Sequence, residues 1–222
     1  MPYPKLKFIT LVLIIMTTDV SGETIKIAFW NVENLFDMVD DPHTSDNEFA
    51  IGGRKNVTEE IYDLKLKNMA EVIDALEVDI LGLCEIENRF VLEELNRAVD
   101  RDYSIIHYDS PDKRGIDVAL LYDSKKLSVT HSEPVPVTLS TGRSTYKYGG
   151  NDMVYDHLIV SPGLVDDVEL KLIHNSVGVF DGYGYRQHGG KYDGYPFRFW
   201  AGNKLLGGYS DHMPVFLKIE SK

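Results

Sequence analysis

The chain has 222 residues, 43% of them hydrophobic and 26% charged, with 23 basic and 35 acidic side chains and a net charge of −12. That length suits one large domain or two small ones, and the balance is that of a globular protein, without low complexity or internal repeats. The acidity excludes nucleic-acid binding that rests on overall charge, so any such binding needs a local basic groove or a bound metal.

The first segment, MPYPKLK, carries two lysines, and the nine-residue apolar run FITLVLIIM and then TTDVSG follow it. This order is that of a secretory signal peptide, and the run is too short to span a bilayer. Val20 and Gly22 suit the positions before a cut, which predicts a signal peptide over 1–22 and a mature domain over 23–222. The alternative is a buried N-terminal strand. Export implies a periplasmic or secreted protein with no stable membrane insertion. Removal of Lys5, Lys7 and Asp19 leaves 21 basic and 34 acidic residues, a net charge of −13. Cys84 is the single cysteine, so no internal disulfide forms, and it reads as a small buried hydrophobe.

ETIKIAFWNV (23–32) reads as a largely buried strand, and the polar, turn-rich stretch 37–56 as a long loop. In TEEIYDLKLKNMAEVIDALE (58–77), Ile61, Leu64, Met69, Val72, Ile73 and Leu76 recur at helical spacing, with Thr58 as N-cap and acids in the first turn. VDILGLCEIE (78–87) is a buried strand and NRFVLEELNRAV (88–99) a second helix. YSIIHYDS, GIDVALLYD and LSVTHSEPVPVTL follow as strands, the last edge-like because of its prolines. Strand, helix, strand, helix, strand is an α/β order. Past residue 144 the pattern holds only strands: MVYDHLIVS, VELKLIHNSVGVF and HMPVFLKIE. Between the last two lies a loop, 181–210, with eight glycines and eight aromatics.

Three places carry chemistry. Asn31 and Glu33, in WNVENLF, end the first strand two residues apart, so their side chains share a face. Glu85, in LGLCEIEN, ends a greasy strand, where a charge is costly unless it is paired or bound to metal. Asp211 and His212, in GGYSDHMPVF, enter the last strand after a flexible loop. Each has a plain structural reading as turn former, cap or ion pair. Acids, an amide and a histidine converging at strand ends suit a hard divalent cation and a phosphate.

In this order the motifs resemble the endonuclease/exonuclease/phosphatase superfamily, closest to its secreted bacterial members. The resemblance runs through WNVENLFD, the DDP loop, LKLKNMAEVI, LGLCEIEN and PDKRGIDVALLYD, then STYKYGGNDMVYDHLIVS, FRFWAG and GGYSDHMPVF. It covers nearly all of 25–219. It implies a four-layer α/β sandwich, two mixed β-sheets with outer helices. It implies Mg²⁺ or Mn²⁺ held chiefly by Glu85, with Asn31, Glu33 and Asp211 contributing oxygens. Asn31 would orient metal or phosphate, Asp211 would orient His212, and His212 would contact the scissile phosphate. Arg114, Asp117 and Asp156 fall in family segments with a substrate-side role, against a plain ion-pair reading for the first two. His107, His131, His157, His174 and His188 receive no role.

One stretch departs from the family. After the GIDVALLYD strand and a GR turn, the family continues with a strand ending in N-H-W-x-S, a helix, and a strand ending in G-D-F-N. Here Arg143 is followed at once by Ser144 and STYKYGG, and neither motif occurs in the chain. TLSTGRSTYKYGG therefore reads as a join at 143–144 that leaves the sandwich incomplete. In the family the missing aspartate activates the attacking water. Three readings follow: a metal-dependent phosphoesterase with weakened activity, an inactive metal- and phosphate-binding protein, and a nonfunctional fragment. The substrate would be a phosphate ester, whether nucleic acid, nucleotide or phospholipid headgroup. The stretch 140–150 is expected to be an exposed connection, and the strands beside it to offer an open edge on which a second copy can pair.

Overall fold

The computed structural model describes residues 8–16, 23–110, 112–137, 146–148, 151–153, 170–173 and 175–221. A seven-stranded mixed sheet forms the centre. Its strands are β2 (Thr24–Leu35), β3 (Ile80–Ile86), β4 (Ser104–Tyr108), β5 (Asp117–Tyr122), β9 (Leu170–Leu172), β10 (Gly178–Val179) and β13 (Val215–Ser221). The order is β10-β13-β2-β3-β5-β4, with β9 also on β13. Only β2 and β3 run parallel; the other pairs are antiparallel.

The helices arise from local signals. Helix α1 (Glu59–Leu76) starts at Thr58, whose hydroxyl accepts from the Ile61 amide, with Glu59 and Glu60 in its first turn. It stops at Glu77, which takes the left-handed conformation. Helix α2 (Arg89–Ala98) is capped by Asn88, whose Oδ1 accepts from the Val91 amide at 3.1 Å. Both helices pack on one sheet face. Met69, Val72, Ile73 and Leu76 of α1 and Val91, Leu92 and Leu95 of α2 join Trp30, Val32, Leu81, Leu83 and Leu121 in one core.

Periodicity misplaced one position of α1. Leu64 is an exposed residue, while Lys65, one step on, is buried. The apolar stripe of the helix runs Ile61, Lys65, Met69, Val72, Leu76, with a lysine at a core position.

The opposite sheet face carries a smaller cluster of Ile25, Ile80, Leu120, Leu127, Leu217 and Ile219. Ile27, Phe29 and Cys84, on that same face, stay half-buried. The other sheets among the described residues are two-stranded. They are β1 (Phe8–Met16) with β6 (Ser128–Val137), β7 (Tyr146–Tyr148) with β8 (Asn151–Met153), and β11 (Trp200–Ala201) with β12 (Lys204–Leu205). The fold is α/β, with a mixed sheet and its helices as the resemblance implies.

Two details differ from the sequence reading. The strand expected over 168–180 is two short pieces, β9 and β10, which pair with opposite ends of β13 on either side of Asn175 at φ 60°. Within the expected exposed connection, Tyr146–Tyr148 instead pairs antiparallel with Asn151–Met153. Residues 138–145 and most of the strand expected over 153–161 lie outside the described residues. The apolar run Phe8–Met16 pairs with β6 from Phe8↔Val137 to Met16↔Ser128. The edge-like strand before the join thus has a partner within the chain. No helix among the described residues is long and apolar enough to cross a membrane.

Candidate active site at the end of the sheet

β2 and β3 end side by side, and β13 begins next to the end of β2, so their functional residues collect at one end of the sheet. Asn31 sits opposite Cys84, just before Glu85, and Phe29 opposite Val215, just after the Asp211–His212 turn. Here the backbone leaves regular strand geometry. Glu33, Asn34 and Glu85 have φ of 56°, 59° and 62°. Left-handed conformations at non-glycine residues cost on the order of 1 kcal/mol each and cluster at functional sites.

Glu85 is the bulged residue of β3. Both neighbouring ladders skip it, between Cys84 and Ile86 on one side and opposite the Asn31/Leu35 shift on the other. The bulge turns its half-buried carboxylate out of the pleat. Oε2 accepts from the Asn34 amide at 3.1 Å, and Oε1 takes no hydrogen bond from the described residues. Asn31 is buried. Its Oδ1 accepts from the Glu33 amide at 2.9 Å, and its carbonyl accepts from the Ser210 hydroxyl at 2.7 Å. These are oxygen donors of the kind a magnesium-sized cation takes.

Glu33 is only 2% exposed, and its oxygens are already engaged. Oε1 accepts from Arg198 Nε and the Trp200 amide, both at 3.1 Å, and Oε2 from the Phe199 amide at 2.6 Å. The positive φ breaks the two-residue alternation that would have put Glu33 beside Asn31. The carboxylate instead pins the 198–200 segment to the end of β2. Burial pushes its pKa up, opposed by Lys65 and Arg198.

Asp211 Oδ2 accepts from Arg198 Nη2 at 3.1 Å, while its Oδ1 is 3.9 Å from His212 Nε2. The short contact of Asp211 is thus with arginine, and its relation to His212 is a longer electrostatic one. The His212 backbone is fixed at both ends: its amide donates to Ser210 Oγ at 3.1 Å, and its carbonyl accepts from Trp30 Nε1 at 3.2 Å.

Four residues that the sequence reading did not single out hold this arrangement. Lys65 Nζ donates to the Val32 carbonyl at 2.6 Å and the Tyr209 carbonyl at 3.0 Å, and lies 4.8 Å from the Phe199 ring centroid. Burial lowers its pKa to about 8, against the raising effect of Glu33, Asp211 and Glu85. Asn68 donates to the carbonyls of Gly207 and Gly208 at 3.0 and 2.7 Å. A Cβ on Gly208 would stand 2.1 Å from the Phe197 carbonyl oxygen, so only glycine fits there. Arg198 bridges Glu33 and Asp211, and Ser210 joins β2 to the His212 turn. The legible signal was Lys65 itself, a charge at a core position of an amphipathic helix.

The remaining candidates lie elsewhere in the chemistry. Arg114 forms a two-pronged pair with Asp112, at 3.1 Å for both contacts. Asp117 is buried; its Oδ2 is 2.9 Å from His107 Nε2, and its Oδ1 accepts from the Ser110 amide at 2.6 Å. His107, Asp109 and Asp117 place ligand atoms within 4.8 Å of one another, a set able to hold a cation, although Asp109 is exposed. Asp156 lies outside the described residues.

The sequence profile of the endonuclease/exonuclease/phosphatase family matches residues 26–143 and 135–221. The chain belongs to the endonuclease/exonuclease/phosphatase family. No curated protein matches the chain. Among solved structures it is similar to an endonuclease/exonuclease/phosphatase family protein from Bacteroides thetaiotaomicron, at 17% identity and a TM-score of 0.34, over 51% of this chain and 34% of that one. A second, from Bacteroides vulgatus, is 18% identical with a TM-score of 0.32, over 50% of this chain and 36% of the other. A D. rerio TDP2 humanized by 14 mutations is 10% identical with a TM-score of 0.39, over 89% of this chain and 99% of that one. The chain thus spans about a third of the length of the two Bacteroides proteins. The family match comes in two segments that overlap at 135–143, on the stretch where the motif order breaks.

Proposed function

We propose that this chain is a divalent-metal-dependent phosphoesterase of weakened activity that keeps the metal side of the family's site and lacks the water-activating side. The carrying observation is the Glu85 bulge, a half-buried carboxylate at φ 62° at the sheet end, beside Asn31, with one oxygen that no described residue engages. Glu85 and Asn31 would hold Mg²⁺ or Mn²⁺. When bound, the cation polarises the phosphoryl group and offsets its developing charge. His212 lies on the turn at the same end of the sheet and would donate to a phosphate oxygen. Glu33 and Asp211 act through Arg198: together they fix the 198–200 segment and the turn that presents His212. Lys65 and Asn68 hold the same turn from α1. Glu33 is therefore a positioning residue in this proposal, not a cation ligand.

The impairment rests on sequence. Hydrolysis needs an oriented nucleophile as well as a polarised phosphate, and groups that act as a unit are far from additive. The absence of HW-x-S and G-D-F-N also supports a second reading, a binding protein that holds cation and phosphate without turnover. The reading is tested by whether Mn²⁺ binding depends on Glu85. The wild-type chain binds it and Glu85→Gln does not; equal binding by both would sink the proposal.

Export with cleavage before Glu23 belongs to the same proposal, as does a phosphate-ester substrate met outside the cytoplasm. Cleavage would remove Phe8–Met16 and strip β6 of its partner. An unpaired edge is a template for another chain. Residues 23–222 are therefore expected to associate with rising concentration in analytical ultracentrifugation, and the full chain much less. A mature chain that stays monomeric at the highest concentration reached contradicts this.

A further inference from the structure

The end of β4 and the start of β5 gather a second set of ligand-type side chains, which the proposed chemistry does not use. His107 stands opposite Ala119 in the β4–β5 ladder, two residues from Asp117. The two therefore lie diagonally on one face of the sheet, within reach of each other. His107 Nε2 is 2.9 Å from Asp117 Oδ2. Asp109, just past the end of β4, places Oδ1 3.9 Å from His107 Nδ1. One ligand atom from each of the three falls within 4.8 Å of the other two, and no other group of histidine, cysteine and acidic side chains among the described residues does so.

Asp117 is buried, where a carboxylate is costly unless a cation or a donor offsets it. Its Oδ1 accepts from the Ser110 amide at 2.6 Å, and its Oδ2 meets the imidazole. Among the described residues no lysine or arginine pairs with any of the three, and Arg114 of the same loop is held by Asp112.

We propose that His107, Asp109 and Asp117 form a zinc site that clamps the 109–116 loop at both ends and fixes the start of β5. Asp109 opens that loop, Asp117 follows its last residue, and β4 supplies the histidine. One imidazole nitrogen and two carboxylate oxygens are a three-ligand set that leaves a further position to water. The 2.9 Å between Nε2 and Oδ2 suits two neighbouring ligands of a cation bound at about 2.0–2.2 Å. The Asp109 side chain is 93% exposed and has room to turn toward the ion. The ring nitrogen selects zinc over magnesium, calcium and manganese, which prefer oxygen. The Glu85 centre, built from oxygens, has the opposite preference. Glu85 does not belong to the set, although Asp117 stands opposite Ile86, the residue after it. The clamped loop also meets the 37–56 loop, where the Ser45 amide donates to the Lys113 carbonyl at 2.8 Å.

Equilibrium dialysis against zinc tests this, with the full chain carrying Glu85→Gln and with excess Mg²⁺, so that the cation proposed for catalysis does not contribute. One equivalent of tightly held zinc is expected. His107→Gln in that background should lose it. Asp109→Ala should weaken it by at least ~10-fold, since loss even of a group behind a metal ligand has that effect. The exposed Asp109 side chain carries little of the fold, so this variant keeps the comparison if His107→Gln does not fold. No tightly bound zinc, or zinc held as tightly after either substitution, overturns the inference and leaves His107 and Asp117 as an ordinary hydrogen-bonded pair.

Discussion

Inserting a family-type block that carries HW-x-S and G-D-F-N between Arg143 and Ser144 is expected to raise Mg²⁺-dependent phosphodiester hydrolysis by ~10³-fold or more. The scale follows from how such sites work. A bound cation and a histidine lower the energy of charge on the phosphate, but the attacking water still has to be held and deprotonated. The end of the sheet offers Glu85, Asn31 and His212 for the first task. The carboxylates best placed for the second, Glu33 and Asp211, are bound to Arg198. The same insertion should raise Tm, because it supplies neighbours for a sheet face on which Ile27, Phe29 and Cys84 are only half-buried. The readout is the initial rate on a model phosphodiester, with and without Glu85→Gln in the restored chain. A native chain that already matches the restored rate has another residue activating water, and the account of the loss is then wrong.

Glu33→Ala is expected to destabilise the chain by about 3 kcal/mol. The carboxylate is 2% exposed and accepts from Arg198 Nε and from the Phe199 and Trp200 amides. Its removal leaves two buried amides without acceptors, each costing about 1–3 kcal/mol. The arginine term is smaller, because that side chain is about a third exposed and water replaces part of the contact. Urea denaturation gives the value directly, through a lower midpoint at unchanged slope. A variant as stable as wild type that loses metal affinity would return Glu33 to the cation.

The contrast between Glu33 and Glu85 shows what the sequence could carry. Glu85 was legible because a charge at the end of the run ILGLC is anomalous under any strand reading. Asn31 and Glu33 were assigned to one face by strand alternation, which fails once Glu33 and Asn34 adopt positive φ. No residue type announces that bend. Arg198 was missed because its partner lies 165 residues away and the loop around it is rich in glycine and aromatics. Lys65 was readable in principle, since its position falls on the buried stripe of α1, but the neighbouring Leu64 drew the assignment. The pair Asp117–His107 depends on the β4–β5 pairing, which spacing alone does not give. The apolar run Phe8–Met16 suits a leader and a strand equally, so periodicity could not separate the two. The Thr58 cap, the long 37–56 loop and the strand sequence up to residue 123 followed from local chemistry and agree with the fold.

The central claim is that Glu85 and His212 face one cation site at the end of the sheet. Paramagnetic broadening by Mn²⁺ tests it most directly, with the imidazole resonance of His212 observed in the folded chain. The account predicts that substoichiometric Mn²⁺ broadens the His212 signal selectively and that Glu85→Gln removes the effect while the spectrum stays that of a folded protein. Broadening that leaves His212 untouched, or that persists unchanged in Glu85→Gln, contradicts it.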